Sequence, residues 1–305
     1  MMGQCVDTFV AQQRALGFEY RVQSSLLKNF AAYAQAQGNS FITTKTVLAW
    51  SAQAPSAAQK RNRLLTVRRL ALSLYADNPL HQVPPADAFG GSTYRRRKPH
   101  IYTEQELTSL QQAAMRMTPA GSIRPLTFYT LITLLWVSGL RISEALSLNA
   151  GDITADGLLI RATKFRKNRL VPIHTSSRCA LEKYLSHKLR QKSNSDSPVF
   201  ISTIETRLSY SNAAQGFLQI SRNVGLREGP GTRGPSLHNF RHSFAVRSLE
   251  CCPTCPKSVQ QHMVSLSTYL GHAHISDTYW YLEATPKLAT HIAQLTEADF
   301  GEVQS

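Results

Sequence analysis

The chain has 305 residues, enough to bury a sizeable core, and this length favours two domains over one. It carries 34 Lys and Arg residues against 19 Asp and Glu, and the resulting net charge of +15 is typical of a protein that binds a polyanion. Nucleic acid is the first candidate ligand and an anionic membrane surface the second. A charge that serves only solubility is the alternative to both.

Several features exclude other classes of protein. The longest apolar run, residues 126–140, is shorter than the roughly 20 residues that a membrane span needs, and it contains Thr, Tyr and Ser. The first residues show no basic stretch followed by an apolar one, so we do not expect export. Five cysteines, three of them within residues 251–255, lack the spacing of a disulfide scaffold. We therefore expect no membrane partner and a cytoplasmic location.

The first 77 residues are predicted to form helices. Apolar positions at helical spacing run through 20–38 and end at a glycine, and helical segments follow at 43–53 and 56–76. The last segment contains five basic residues with no acidic residue between them: Lys60, Arg61, Arg63, Arg68 and Arg69. They do not share one clean face, but we predict that this helix contacts DNA. An ordinary solvated helix, which would usually mix charges of both signs, is the alternative.

Proline and glycine become frequent from residue 78, which indicates a linker. We place the linker at 83–100, between an N-terminal domain of residues 1–82 and a larger domain of residues 101–305. It contains four consecutive cations that are suited to follow a phosphate backbone: Arg95, Arg96, Arg97 and Lys98.

The second domain is predicted to be mainly helical. Thr103 and Glu106 have the spacing of a capping box, and a buried helix over 126–138 is expected to end at a glycine. Residues 157–174 alternate apolar and polar positions on both sides of a polar tip, as in a β-hairpin. Further helices are predicted over two segments: 177–191 and from 210 to the end. The predicted fold class is therefore α+β, mainly α with a small β-hairpin.

The stretch SGLRISEALSL (138–148) places Arg141 between a helix-ending glycine and Ser143, which we expect to cap the next helix. A cation at such a junction is held by two rigid elements, as an oriented guanidinium requires. A surface arginine paired with Glu144 is the plainer alternative.

The stretch HNFRHSF (238–244) places His238 and Arg241 on one helical face. It supplies a second guanidinium beside an imidazole, although most such pairs are incidental. Lys164 and Lys167 lie at or near the hairpin tip. A lysine there can reach a neighbouring groove as a proton donor, or it can serve solubility alone.

The stretch LGHAHISDTYWYLEATP (270–286) contains His272 after a Leu-Gly break and Tyr281 nine residues later. Trp280 is expected to lie in the core. A buried, hydrogen-bonded and inert hydroxyl is the plainer interpretation of either Tyr279 or Tyr281.

Together these residues supply the groups for a metal-free attack on a phosphodiester. Guanidiniums bind phosphate oxygens bidentately and stay charged, so they can neutralise a pentavalent phosphorus. A tyrosine of pKa about 10 costs roughly 4 kcal/mol to present as phenolate at pH 7. Because each well-placed transition-state donor contributes on the order of 3 kcal/mol, several donors offset that cost without a metal.

The order SGLRISEAL, hairpin lysine, HNFRHSF and LGHAHISDTYWY resembles the tyrosine recombinase (integrase) family over about residues 100–290. Each motif alone is short, but their order and intervals are specific. The resemblance implies a catalytic set: Arg141, Lys164, His238, Arg241, His272 and Tyr281, with Glu144 as the acidic residue beside the first arginine. Lys164, not Lys167, lies at the sequence spacing that the family's hairpin lysine has from the arginine before LVP. Tyr279 is out of register.

The resemblance also implies a C-shaped clamp, in which a small helical core-binding (SAM-like) domain and a catalytic domain close around duplex DNA. Tyr281 then forms a 3′-phosphotyrosine while the arginines and His272 stabilise the phosphorane. His238 assists proton transfer and Lys164 protonates the leaving oxygen. The implied partners are double-stranded DNA with paired recognition sites and a homotetramer or mixed tetramer. No cofactor or metal is implied.

Two other functions remain open from the sequence. A type IB topoisomerase resembles the recombinases in its catalytic set, but the separate N-terminal domain and the tail favour a recombinase. A DNA-binding regulator without cleavage activity is the second alternative, and the complete catalytic set argues against it.

The last quarter of the chain raises two further questions. The segment between Arg241 and His272 is longer than is usual in the family and contains Cys251, Cys252 and Cys255. A zinc site there lacks an obvious fourth ligand other than His262. A C-terminal helix is predicted over 286–300, and it docks either on a neighbouring protomer or on its own domain.

Overall fold

The computed structural model describes residues 2–90, 98–161, 168–190, 194–229, 232, 234–251, 256–271, 278 and 281. The chain divides into two compact units, Met1–Arg97 and Lys98–Ser305. Each unit has its own hydrophobic core. Separate cores of this kind are what distinguishes two domains from one.

The described residues of the first unit form helices joined by turns and irregular segments, with no strand among them. Its helices are α1 (Met2–Ala15), α2 (Arg21–Ala36), α3 (Thr44–Ala52) and α4 (Ala57–Asp77). Thr43 starts α3 because its side chain accepts a hydrogen bond from the backbone N–H of Thr46 at 3.2 Å. Phe30 and Trp50 join α2 to α3 in the core, edge to face, with ring centroids 5.4 Å apart. The three predicted helical segments are confirmed as α2, α3 and α4.

The second unit combines helices with a small sheet. The helices are α5 (Glu104–Met115), α6 (Arg124–Ser138), α7 (Ile142–Ser147), α8 (Thr175–Leu185), α9 (Tyr210–Asn223), α10 (Asn239–Glu250) and α11 (Pro256–Leu270). The predicted capping box is confirmed at the start of α5. Thr103 N–H donates to Glu106 Oε2 at 2.8 Å, and Glu106 N–H donates to Thr103 Oγ1 at 3.1 Å.

Helix α6 is the buried helix that the apolar run predicts. Its sides are covered by α5, α8 and α10. It ends at Gly139, whose φ of 59° is the left-handed conformation that glycine adopts without strain. No helix in the described part of the chain is both long enough and apolar enough to cross a membrane.

The sheet has three short antiparallel strands in the order β1-β2-β3. They are β1 (Ile153–Thr154), β2 (Gly157–Ile160) and β3 (Arg169–Val171). The two arms of the predicted hairpin are confirmed as β2 and β3, with Ile160 paired to Arg169 at the end nearest the tip. The predicted tip, including Lys164 and Lys167, lies outside the described residues. Strand β1 was not predicted, because two residues carry no periodicity.

Helix α8 differs from its predicted bounds of 177–191. It begins at Thr175 and ends at Leu185. The chain turns away because Arg190, predicted to be helical, donates to the carbonyls of Pro198 and Val199 at 2.9 and 2.6 Å. These acceptors lie beyond the reach of a local sequence pattern.

Aromatic packing fixes the orientation of α10. Phe240 is fully buried and stacks on Tyr102, with ring centroids 4.3 Å apart. It also meets Phe217 of α9 edge to face at 5.7 Å. Because Phe240 anchors one face of the helix in the core, the neighbouring Arg241 is directed to the end of α6.

Candidate active site

Arg141 lies at the junction between α6 and α7 and is itself the residue before the helix. Its backbone N–H donates to Glu144 Oε2 at 2.9 Å, so the carboxylate of Glu144 caps α7. The expectation that Ser143 caps this helix is wrong, because the capping residue is Arg141 and α7 begins at Ile142, two residues earlier than a Ser143 cap requires. The oxygen of a short serine side chain is not needed where an ionised carboxylate already fills that role.

The carboxylate of Glu144 accepts four hydrogen bonds. Two come from Arg141, from its backbone N–H and from Nη1 at 2.8 Å, and two come from Nη1 and Nη2 of Arg169, both at 2.9 Å. Burial would raise the pKa of Glu144, but the hydrogen bonds and charge of Arg169, together with the hydrogen bonds of Arg141, hold it below its usual range. Glu144 is therefore ionised at neutral pH and all of its acceptor positions are occupied.

The guanidinium of Arg141 also reaches the end of α11. Its Nη2 donates to the carbonyl of Gly271 at 3.1 Å, and its side chain remains 30% exposed. Arg141 therefore does pair with Glu144, but it is not a plain surface arginine. Its guanidinium lies where α6, α7 and the end of α11 meet, and one edge of it remains accessible to solvent. A phosphate oxygen can approach such an edge.

Arg241 is 2% exposed and is held by backbone carbonyls. Nη1 donates to Gly139 O at 3.0 Å and Nη2 to Leu270 O at 2.6 Å. Burial and the charge of Arg141 lower the pKa of Arg241 to about 10, although Tyr281 and Glu144 act in the opposite direction. Arg241 is therefore protonated at neutral pH, and its two carbonyl partners leave its positive charge uncompensated.

His238 lies directly before α10 and close to both arginines. Burial lowers the pKa of His238, and the charges of Arg241 and Arg141 lower it further. Its ring packs edge to face against His242, with centroids 4.8 Å apart. A neutral imidazole in this position can accept a proton at neutral pH.

Tyr281 is 3% exposed and packs in a small apolar cluster formed by α10 and α11. Its backbone N–H donates to Thr278 O at 3.0 Å. The tyrosine ring lies 5.4 Å from the ring of His242, centroid to centroid. Since His242 also contacts His238, one histidine bridges the predicted nucleophile and the first residue of the HxxR motif.

The structure brings together the described members of the predicted catalytic set: Arg141, Glu144, His238, Arg241 and Tyr281. Lys164 and His272 lie outside the described residues, as do Tyr279 and Trp280. The arrangement concentrates three guanidiniums around one carboxylate, so the described part of the site carries an excess of positive charge. An excess of this kind suits a phosphodiester, because charge develops on its oxygens during attack.

The basic residues predicted to contact DNA differ in environment. Three of them donate to backbone carbonyls of their own unit: Arg61, Arg63 and Arg68. Arg63 also stacks on Trp50, with its guanidinium carbon 4.8 Å from the ring centroid. Lys60 is half-buried, whereas Arg69 and Lys98 are exposed. Arg95, Arg96 and Arg97 lie outside the described residues.

Among the described residues, no group of three or more His, Cys, Asp or Glu side chains is placed to hold a metal ion. Cys251 is free and exposed. Cys252, Cys255 and the predicted helix 286–300 lie outside the described residues.

Two residues of this site were not predicted from the sequence. Arg169 entered only as the arginine that marks the register of Lys164, and His242 only as the second histidine of HNFRHSF. The signal for Arg169 was a cation at the start of an otherwise apolar strand, where a charge needs a partner. The signal for His242 was weaker, because a lone histidine beside an HxxR pair has no pattern of its own.

The model of the phage integrase family matches residues 101–287, more than half of the chain. Among curated proteins, y4rB of Sinorhizobium fredii (strain NBRC 101917 / NGR234), named as an integrase/recombinase, is 37% identical over 93% of each chain. Tyrosine recombinase XerD of Mycobacterium tuberculosis (strain ATCC 25618 / H37Rv) is 31% identical over 75% of this chain and 71% of its own. The chain belongs to the phage integrase family, the tyrosine-type site-specific recombinases.

Solved structures share the fold at much lower identity. A lambda integrase (residues 75–356) dimer bound to a COC′ core site covers 93% of this chain and 95% of its own, with a TM-score of 0.64 and 16% identity. The Tn1549 transposon integrase in complex with transposon right end DNA covers 100% and 99%, with a TM-score of 0.65 and 14% identity. The predicted α+β fold class is confirmed.

Proposed function

We propose that this protein cuts and rejoins duplex DNA at specific sites through a 3′-phosphotyrosyl intermediate. The observation that carries the proposal is the buried Arg241, held by neutral carbonyls and within electrostatic range of both Arg141 and Tyr281. A tyrosine hydroxyl beside a guanidinium that is held only by neutral carbonyls is suited to attack a phosphodiester. Membership of the family supports this activity over the topoisomerase and the non-cleaving regulator.

In the proposed reaction the Tyr281 oxygen forms a bond to phosphorus as the bond from phosphorus to the 5′ oxygen breaks. His238 accepts the tyrosine proton, and Lys164 donates a proton to the departing 5′ oxygen. Arg141 and Arg241, with His272, neutralise the charge on the phosphorane. The 5′-hydroxyl of a partner strand then attacks the phosphotyrosine and restores a phosphodiester, so neither ATP nor a cofactor is consumed.

We propose duplex DNA with paired recognition sites as the partner and a tetramer, of one chain or mixed, as the active assembly. The solved relatives include a lambda integrase tetramer bound to a Holliday junction. The site-residue roles, the clamp formed by residues 1–82 and 101–305, the 83–100 linker and the cytoplasmic location belong to the same proposal.

The test is recombination between two copies of the DNA flanking the gene, carried in direct repeat on one supercoiled plasmid, in buffer with EDTA. Two product circles are expected from the wild-type protein and none from Tyr281→Phe. Relaxation without exchange, on plasmids with and without the repeats, would instead indicate a topoisomerase. A specific footprint with neither product would indicate a regulator, and activity abolished by EDTA would contradict the metal-free chemistry.

We propose that the helix predicted over 286–300 docks on a neighbouring protomer. Deleting residues 287–305 should then weaken synaptic assembly of two DNA sites more than binding to one site, as measured by native gel shift. Equal recombination and assembly by the truncated chain would exclude docking in trans.

A further inference from the structure

Arg169 binds the same carboxylate that holds Arg141. Its two terminal nitrogens bind the two oxygens of Glu144, one each at 2.9 Å, in the planar two-pronged geometry that only an arginine provides. Both side chains are well buried, 15% exposed for Arg169 and 8% for Glu144. Water competes little for a pair in this environment, so its geometry is well defined.

The same carboxylate binds Arg141 through its remaining acceptor positions. Glu144 Oε1 accepts from Arg141 Nη1 at 2.8 Å, and Oε2 accepts from the Arg141 backbone N–H at 2.9 Å. Each oxygen therefore takes one hydrogen bond from each arginine. Because Arg169 fixes both oxygens, it fixes the plane of the carboxylate and hence the direction in which Arg141 is held.

Arg169 also joins three separate parts of the unit. It lies at the start of β3, on the hairpin arm that leads from the predicted Lys164, and pairs with Ile160 across the sheet. Its partner Glu144 lies on α7. Its Nη1 lies 2.8 Å from the position that a Cβ on Gly271 would take, so it packs against the turn that follows α11. That turn leads to His272, and its carbonyl also accepts from Arg141.

We infer that Arg169 is a positioning residue for the cleavage reaction, which acts through Glu144 to fix the Arg141 guanidinium and to bring the hairpin, α7 and the 270–271 turn into one arrangement. This inference rests on the proposed function for its kinetic consequence. Arg169 itself needs no contact with DNA for this role.

The first test compares Arg169→Met with Arg161→Met. Arg161 follows β2 on the other arm of the same hairpin and pairs through Nε with the buried Asp152 at 2.6 Å, so both variants remove an arginine from a buried carboxylate. Arg169→Met should slow formation of the covalent DNA adduct about 10²-fold, as a misplaced catalytic group does, while Arg161→Met stays within about threefold of wild type. Equal rates for the two variants would overturn the inference.

The pH profile separates positioning from a loss of folding. Glu144 faces Arg141, Arg169 and Arg241, and loss of Arg169 removes the hydrogen bonds and charge that most oppose the effect of burial, so the pKa of its carboxyl group rises relative to wild type. Arg169→Met should therefore lose further activity as the pH falls towards 5, relative to wild type and Arg161→Met at each pH. Arg169→Lys keeps a charge but not the two-pronged contact, so it should be slow with the profile of wild type. A profile of Arg169→Met parallel to that of wild type would contradict the role of Glu144.

A double variant tests whether the two residues act as one unit. The adduct rate of Glu144→Gln/Arg169→Met should be no lower than that of the slower single variant, because both changes break the same contact. Multiplicative losses would show that Arg169 acts independently, for example on a phosphate.

A measurement without DNA keeps this inference distinguishable from the proposed function. The side-chain Nε–Hε resonance of Arg141, assigned by Arg141→Lys, should shift in Arg169→Met and stay in place in Arg161→Met. An unchanged Arg141 resonance would overturn the inference even if wild type cleaves DNA. If wild type forms no adduct on any flanking DNA while the resonance shifts as expected, the proposed function fails and the positioning contact stands.

Discussion

At the scale of single residues, the two site arginines have different partners and therefore different electrostatic roles. Arg141 shares the negative charge of Glu144 with Arg169, whereas Arg241 is bound by the neutral carbonyls of Gly139 and Leu270. The carbonyls orient Arg241 without neutralising it. We therefore expect Arg241 to supply more of the charge that stabilises a phosphorane.

Replacing Arg241 by Lys should slow adduct formation by about 10²–10³-fold, because an ammonium cannot reach both carbonyls and a phosphate together. One buried carbonyl also loses its donor, which costs about 1–3 kcal/mol in the free energy of unfolding. Quench-flow on trapped DNA and denaturant unfolding measure the two effects. A rate within threefold of wild type would show that the reaction needs only a positive charge at this position and not the two-pronged guanidinium.

His81 of the first unit provides a pH-dependent contribution to stability. It is 6% exposed, its Nδ1 accepts from the backbone N–H of Ile42 at 3.2 Å, and burial lowers its pKa below 6.5. Above pH 6.5 both folded and unfolded states hold a neutral imidazole. As the pH falls below 6.5 the unfolded state binds a proton first, so stability falls, by at most about 1.4 kcal/mol per pH unit.

The variant His81→Asn isolates this contribution. Its amide oxygen can accept from Ile42 but does not titrate, so its free energy of unfolding should fall less than that of wild type between pH 7 and 5. His238 has a lowered pKa too and contributes with the same sign in both proteins. Identical pH dependences in urea unfolding would assign the effect to His238 or elsewhere.

The sequence motifs predict which residues lie close together at the site, but they do not predict the contacts that hold them. Arg141, His238, Arg241 and Tyr281 were identified because each lies in a short motif of fixed order. Arg169 was not, because its partner Glu144 is 25 residues away in another element. A long-range ion pair leaves no periodicity in the sequence.

At the scale of elements, a helix boundary set by neighbouring residues was predicted correctly, whereas boundaries set by contacts with distant residues were not. The capping box of α5 was predicted because Thr103 and Glu106 carry the whole contact between them. The start of α7 was predicted two residues late, because the carboxylate that caps it is oriented by β3. The end of α8 was misplaced because Arg190 bonds to carbonyls at 198 and 199.

Gly139 connects α6 to the site, and its substitution tests that junction. In Gly139→Ala the new Cβ lies 2.5 Å from Phe244 Cδ1, on a residue with φ of 59°. The free energy of unfolding should fall by about 2–4 kcal/mol, from left-handed strain and overpacking together.

Gly225→Ala is the matched control, because it follows α9 with φ of 75° and its Cβ meets nothing within 4 Å. Its free energy of unfolding should fall only by the cost of left-handed strain, about 1 kcal/mol. Equal losses for the two glycines in denaturant unfolding would mean that Phe244 moves aside without cost.

At the scale of the whole molecule, the net charge of +15 predicts DNA binding that weakens steeply with salt. The exposed Arg69 of α4 belongs to the predicted contact set, whereas the exposed Arg116 at the end of α5 does not. In fluorescence anisotropy on a non-specific duplex, Arg69→Gln should reduce the slope of log affinity against log salt by about 0.9 and Arg116→Gln should not. Equal changes would mean that net charge alone determines binding.

The two-unit organisation could be anticipated from the composition change near residue 78, but its details could not. Three carbonyls within residues 84–90, all assigned to the linker, accept hydrogen bonds from arginines of α4 in the first unit. Proline and glycine content indicates where regular structure ends, and it does not show which neighbouring element the chain then packs against.

The proposed function requires that Tyr281 becomes covalently joined to DNA, and this bond can be mapped. Nicked, labelled fragments from both flanks of the gene trap the adduct, which is then digested and sequenced by mass spectrometry. A phosphodeoxynucleotide on the peptide carrying Tyr281, absent from Tyr281→Phe, is the expected result. An adduct on Tyr279, or specific binding to those fragments with no adduct on any residue, would contradict the account.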